Sequence, residues 1–177
     1  MADPQKNKQT VRAYINTAFN DRRPAEAVEK YGGSHYIQHN PEVPDGFEAF
    51  VQFVEGFTTQ FSQLSLDIKS AVAEGDLVAT HMLLKTSPED RGTALADFWR
   101  LEDGKIVEHW DVLQPVPESA ANDHPMFCWP RNSGGMMEHP VPGRRNRPYS
   151  PKCLEGVFSE VRTGLREVAP CSCGGKG

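Results

Sequence analysis

Apolar residues recur every three or four positions near the start of the chain. Val11, Tyr14, Ile15, Ala18 and Phe19 make one stripe and predict a helix from about Lys6 to Asn20. Pro24 fits the first turn of a short second helix, with Ala27, Val28 and Tyr31 on its inner side, and Gly32-Gly33 predicts its stop. His35-Tyr36-Ile37-Gln38-His39 is rich in β-formers, too short for a helix, and ends at the breaker pair Asn40-Pro41. A loop with Pro44, Asp45 and Gly46 leads to the densest helical stripe, Phe47, Phe50, Phe53, Val54, Phe57 and Phe61. Core packing is the plain reading of that stripe, with a share in a pocket wall.

From Leu64 the period falls to two. Leu64, Leu66 and Ile68 alternate with polar residues, Glu74-Gly75-Asp76 is a turn, and Leu77 to Thr86 follows as a strand. Two more strands are predicted at about Ala94–Leu101 and Lys105–Gln114, after which Pro115 and Pro117 close the ladder because proline cannot donate to it. Helices first, then a run of antiparallel strands, define an α+β fold with helices on one face of a curved sheet.

The last two strands carry the candidate chemistry. Asp103-Gly104 is a strong hairpin signal with two possible registers. A two-residue loop sets Asp97 opposite Trp110. A three-residue loop pairs Leu101 with Lys105, sets Asp97 opposite His109 and sets Leu95 opposite Asp111. A slip of one residue exchanges the two faces. The three-residue loop is preferred because it collects Leu95, Asp97, Trp99, Val107, His109, Asp111 and Leu113 on one concave face. It leaves Phe98, Arg100, Ile106, Glu108, Trp110 and Val112 on the other, where Arg100 and Glu108 can pair diagonally.

An apolar cavity with a few convergent polar groups is the usual form of a small-molecule site. Burial raises the pKa of an Asp, and a neighbouring imidazole can hold or shuttle its proton. Such a carboxylate can take a proton from carbon beside a carbonyl without a metal. The structural alternative is that these polar residues are satisfied by neighbouring backbone. His81 shares its alternation with Ala79 and Leu83 and is expected to line the same cavity. No recognised metal-ligand spacing is present, so no metal is expected.

The chain has 177 residues, 38% of them hydrophobic and 24% charged, which suits one globular domain with an appendage. No run approaches the roughly 18 apolar residues of a membrane span. Met1 to Thr10 has no apolar leader. A cytoplasmic protein with no membrane partner is expected. The net charge of −5 argues against nucleic acid as a partner. That average hides a split. Residues 1–127 hold 11 Lys/Arg against 20 Asp/Glu, a balance of −9, whereas residues 128–177 hold 8 against 4, a balance of +4, together with all four cysteines.

The ordered set Tyr36-Ile37-Gln38-His39-Asn40-Pro41, Asp45-Gly46 before the Phe-rich helix, Gly75-Asp76-Leu77-Val78, Asp97-Phe98-Trp99-Arg100 and Glu102 through Gln114 resembles the SnoaL-like polyketide cyclase family of the NTF2-like superfamily. The resemblance covers roughly residues 5–127, and Glu108-His109-Trp110-Asp111 is its most telling piece. It implies a cone-shaped barrel, in which a bent antiparallel sheet wraps around three N-terminal helices over a deep pocket. It also implies homodimers formed through the outer sheet face. The activity it implies is cofactor-free aldol cyclisation, or a related isomerisation or dehydration, of a small hydrophobic carbonyl or polyketide substrate. Asp111 matches the family's general base. Asp97 stands where the cyclases usually carry a histidine, a departure from their pattern. His39 matches a recurrent pocket histidine. The expected catalytic set is therefore Asp111, His109 and Asp97, with His39, His81, Trp99, Phe50 and Phe57 as substrate-binding residues. The superfamily also includes binding proteins without turnover, which is the alternative function. An epoxide-hydrolase reading wants an arginine at the site, and Arg100 is expected to face outward.

Residues 128–177 match no recognised pattern. Pro140, Pro142-Gly143, Arg144-Arg145 and Pro148 have the composition of a basic, disordered linker. Leu154, Val157, Phe158, Val161, Leu165 and Val168 fall at helical spacing, so a short helix is expected near 153–168. Cys171-Ser172-Cys173 has no second ligand cluster beside it. This segment is expected to be an accretion on a complete domain. A chain cut after Phe127 should fold and keep any activity, and lost solubility or dimerisation on truncation would contradict that.

Overall fold

The first helix begins where its local chemistry permits. Proline loses nothing at the first helical position, and the Asp3 carboxylate accepts hydrogen bonds from the backbone N–H groups of Gln5 (3.0 Å) and Lys6 (3.1 Å). In the computed structural model, which describes residues 2–127, helix α1 spans Pro4–Ile15. The predicted helix to Asn20 is not uniform, because the chain widens into a π-helical turn at Asn16–Asn20. Helix α2 spans Pro24–Tyr31. Gly32 ends it in extended conformation (φ −71°, ψ 150°), so the two glycines form no left-handed cap and instead open strand β1, Gly32–Gln38. A Cβ on Gly33 would lie 2.5 Å from the Val107 Cγ1, so the bare backbone is what lets β1 close on its neighbour. Helix α3 is Phe47–Gln60, and strands β2 (Ser65–Glu74), β3 (Leu77–Lys85), β4 (Thr93–Glu102) and β5 (Lys105–Pro115) follow.

The predicted α+β arrangement is present. The five strands lie in the order β1-β5-β4-β3-β2. Strands β2 to β5 form an antiparallel meander, whereas β1 pairs parallel to β5. The sheet is thus mixed rather than wholly antiparallel, and open rather than closed into a barrel. The π-helical turn ties into its free edge. Asn20 Nδ2 donates to the Leu66 carbonyl and Asn20 Oδ1 accepts from the Leu66 N–H, both at 2.9 Å, so one side chain replaces the missing strand at β2. The core lies between the helices and the concave face. Tyr14 of α1 stacks on Phe50 of α3 at 5.2 Å and meets Trp99 of β4 edge-on at 5.8 Å, with Val11, Val54, Val78, Met82 and Ile106 fully enclosed around them.

The β4–β5 hairpin corrects the predicted register. Glu102 pairs with Lys105 around a two-residue turn, with Asp103 (φ 49°) and Gly104 (φ 76°) both left-handed. Leu101 pairs with Ile106, but Arg100 pairs with Glu108, so Val107 is an extra, bulged residue. Asp97 therefore faces Asp111 rather than His109, and Leu95 faces Leu113 rather than Asp111. The bulge restores the parity that the shorter turn would have reversed. Leu95, Asp97, Trp99, His109 and Asp111 thus still share the concave face, and Arg100 and Glu108 still lie on the outer one. Ile106 departs from its predicted face and joins the core, because the bulge turns it inward.

Among the described residues no helix is long and apolar enough to cross a membrane. Segment 128–177, with its predicted linker, helix and cysteine pair, lies outside the described residues.

Candidate functional site

Parity on β1 decides which side chains reach the cavity. Tyr36 is buried and Ile37 exposed, and Gln38 pairs with His109 across the parallel ladder. The ladder continues one step further, where the His39 N–H donates to the His109 carbonyl at 3.0 Å. Tyr36, Gln38 and Asn40 thus point inward, and Ile37 and His39 outward.

Five polar side chains meet at one end of the cavity. His109 Nε2 lies 3.1 Å from Asp97 Oδ1, and His109 Nδ1 lies 3.0 Å from Gln38 Oε1. Asn40 Nδ2 donates to Asp111 Oδ2 at 2.7 Å. The Trp99 ring lies against the imidazole at 4.1 Å, and its indole N–H donates to Thr80 Oγ1 at 3.2 Å, which fixes the ring. Asp97 and His109 are only 2% and 7% exposed. Burial raises the pKa of Asp97, and this outweighs the opposing pull of His109. Burial likewise raises the pKa of Tyr36, whose hydroxyl accepts a long hydrogen bond (3.4 Å) from Gln38 Nε2. Asp97 Oδ2 is buried and has no hydrogen-bond partner among the described residues.

Apart from Glu42 on the loop after β1, the rest of the cavity is hydrocarbon. It encloses about 250 Å³, and its walls include Phe19, Phe50, Phe57, Met82, Leu95 and Trp99. Phe53 and Leu113 line it and are also exposed, which marks its opening. Along the Phe-rich helix, Phe50 both packs in the core and lines the cavity, and Phe53 and Phe57 line it further out. No Lys or Arg lines the cavity among the described residues.

Two predicted site residues lie elsewhere. His39 sits on the outer face, stacked on Trp110 at 4.6 Å with its Nε2 2.9 Å from Glu108 Oε1. His81 is also on the outer face, stacked on Phe127 at 5.1 Å, because its buried neighbours Thr80 and Met82 take the inward positions. Arg100 faces outward as predicted. It joins Glu108 at 2.8 Å and Asp76 at 3.0 Å, so the site has no arginine. Burial alone would raise the pKa of Glu108, but the hydrogen bonds from His39 and Arg100 outweigh it and hold the value below the usual range.

Sequence reasoning missed Gln38 and Asn40. The signal was available, since both share the phase of Tyr36, whereas His39 does not. Asp97, His109 and Asp111 each offer an atom within 4.8 Å of the others, so these three could hold one cation.

Helices and a mixed sheet thus form an α+β domain around a mostly apolar cavity with an acid–imidazole end. Residues 11–109 match the SnoaL-like domain family, and the chain belongs to that family. Its fold is shared by TsrD from Streptomyces laurentii (23% identity over 64% of this chain and 91% of that one, TM-score 0.52). It is shared also by a candidate polyketide cyclase from Acidithiobacillus ferrooxidans (19% identity, 64% and 91%, TM-score 0.54). A candidate ketosteroid isomerase from Kribbella flavida is a third (17% identity, 69% and 87%, TM-score 0.55). No curated protein matches the chain.

The burial of Asp97 generates a stability prediction. Its raised pKa means that the folded chain holds the proton more tightly than the unfolded chain. That contribution is complete below the ordinary carboxylate range and is lost as pH rises through the raised value. Asp97→Asn cannot ionise, keeps the shape and supplies an N–H toward His109 Nε2. Thermal unfolding should find the variant more stable than the parent by a few degrees at pH 7–8, with the gap closing toward pH 4. A variant less stable at both pH values would contradict this account of the carboxyl.

Proposed function

We propose that the chain is a cofactor-independent acid–base enzyme acting on a small hydrophobic carbonyl compound. The reaction is an aldol cyclisation or a related isomerisation or dehydration. One observation carries the reading. At a single end of a mostly apolar cavity, one carboxylate is held by an amide N–H, while a second carboxyl is buried against an imidazole. Pairs of ionisable groups whose surroundings differ in this way commonly divide the base and acid roles.

Asp111 is the base. Asn40 occupies its Oδ2, leaving Oδ1 to take a proton from carbon next to the substrate carbonyl. The electrons of that C–H bond pass to the carbonyl oxygen as an enolate. In an aldol step the enolate carbon attacks a second carbonyl of the same molecule, and one C–C bond forms. The proton between Asp97 and His109 then passes to the new alkoxide, and the proton on Asp111 restores the pair. In isomerisation the proton returns to a different carbon, and in dehydration the protonated hydroxyl leaves as water. Trp99, Phe50 and Phe57 give the ring or chain of the substrate an apolar wall. A cavity without Lys or Arg supports a neutral substrate over a carboxylate. Family membership and the likeness to candidate cyclases and isomerases support the same chemistry.

We propose further that the working unit is a homodimer joined through the outer sheet face. That face exposes Val72, Phe98 and Val112 at 66%, 45% and 67%, apolar side chains that a second copy would cover.

Asp111→Asn assayed against cyclic ketones and linear polyketides tests the chemistry. Turnover should fall about 10²–10⁴-fold, while binding of the same compounds is retained. Turnover of the parent should also survive dialysis against EDTA. Unchanged turnover in Asp111→Asn would remove the base. Binding by the parent without turnover of any compound would favour a ligand-binding protein, and loss of activity on chelation would assign the three-residue cluster to a cation.

A further inference from the structure

The loop that follows β1 carries two backbone N–H groups whose direction is unambiguous. The N–H of Asn40 points at Gln38 Oε1 at 3.0 Å, and the N–H of Glu42 points at Asn40 Oδ1 at 2.8 Å. A backbone N–H can only donate, so each identifies the oxygen of a side-chain amide without reference to the site. Asn40 must therefore turn its Nδ2 toward Asp111, as observed. Gln38 must turn its oxygen toward His109, and an oxygen there can only accept.

We propose that Gln38 is a positioning residue that fixes the His109 tautomer with its proton on Nδ1, and so keeps a second proton between His109 Nε2 and Asp97 Oδ1. With Nδ1 donating to Gln38, a neutral imidazole presents a lone pair on Nε2 to a carboxyl oxygen 3.1 Å away. Two lone pairs at that distance in a dry site repel, so a proton is held between them. It resides on Asp97 in a neutral pair or on Nε2 in an ion pair. Remove Gln38 and the imidazole gains an escape. It can move its single proton to Nε2, donate to an ionised Asp97, and leave Nδ1 bare. Gln38 thus makes the pair reluctant to surrender its proton to solvent, which reserves that proton for a bound substrate oxygen.

Among the described residues no other ionisable group is bonded to His109 Nδ1, although the charge of Asp111 adds to the rise of the Asp97 pKa. Asp111 on β5 and Glu42 after β1 line the same cavity, Tyr36 on β1 lies beside Gln38, and Tyr14 on α1 lies against Trp99. The cavity faces of α3, β2 and β3 present Phe50, Phe53, Phe57, Leu66, Met82 and Leu84, which do not titrate.

The inference rests on the acid–base reading of this site, but its test needs no turnover. Nitrogen-15 NMR of the full chain, with the His109 signals assigned by their loss in His109→Gln, follows both ring nitrogens through a pH titration. In the parent, Nδ1 should remain protonated at every pH where the fold persists. In Gln38→Met the neutral ring should carry its proton on Nε2, and the pair should lose its shared proton at a pH lower by about one unit or more. In Gln38→Glu the carboxylate strengthens the bond to Nδ1–H, so that loss should move to higher pH. Shifts in opposite directions separate positioning from damage to packing, which would move both variants alike. A neutral parent His109 protonated on Nε2 overturns the proposal whether or not either variant folds, as do shifts of the same sign in both variants. Should the nitrogen pattern hold while Asp111→Asn keeps full turnover, the tautomer assignment stands and the assignment of the base falls.

Discussion

A carboxyl and an imidazole lie 3.1 Å apart in a mostly apolar cavity, and neither can remain there as an isolated charge. Much of the surrounding structure meets that constraint. Burial pushes Asp97 toward its neutral form, and His109 supplies the partner that takes or returns the proton. Trp99 holds the ring in place and is itself held by Thr80. Gln38 blocks the alternative tautomer. Within the pair, Asp97 Oδ2 is left without a partner among the described residues. A buried unsatisfied carboxyl oxygen is costly, and a substrate hydroxyl could relieve it by donating to it.

Two departures from regular β-structure build this constellation. The bulge at Val107 adds one residue to β5, and that residue brings His109 and Asp111 to the concave side. The parallel strand β1 then lies along β5 with Gln38 beside His109, an approach that Gly33 permits by having no side chain. The three ionisable residues come from the central strands β4 and β5, whereas the amides that orient them come from β1 and the loop after it. The outer face is organised by a separate network, Asp76–Arg100–Glu108–His39, with Trp110 stacked on His39. His39 sits between Gln38 and Asn40 in sequence, so this outer network anchors the same short segment from the other side.

The order of elements was legible because the short β-rich run His35–His39 interrupts the helical stripes, and after Phe61 they give way to the alternation beginning at Leu64. The face holding Asp97, His109 and Asp111 was also legible, although by a register that does not occur. The predicted three-residue loop and the observed two-residue turn with a bulge differ by two positions in pairing, and a shift of two preserves faces. What failed is what parity cannot see from composition. A histidine in a His-Asn-Pro motif attracts a functional reading, but its phase relative to buried Tyr36 sends it outward. His81 fails for the same reason between Thr80 and Met82. The parallel placement of β1 was not legible at all, because strand direction depends on the path of the intervening chain. Without it the inward phase of Gln38 and Asn40 could be read, but not their partners His109 and Asp111.

Neutron diffraction from deuterium-exchanged crystals at neutral pH tests the central claim most directly, since it locates the protons that the account assigns. The account predicts one deuteron on His109 Nδ1 facing Gln38, one between His109 Nε2 and Asp97 Oδ1, and none on Asp111. A deuteron on Asp111, or an empty space between Asp97 and His109, would contradict it.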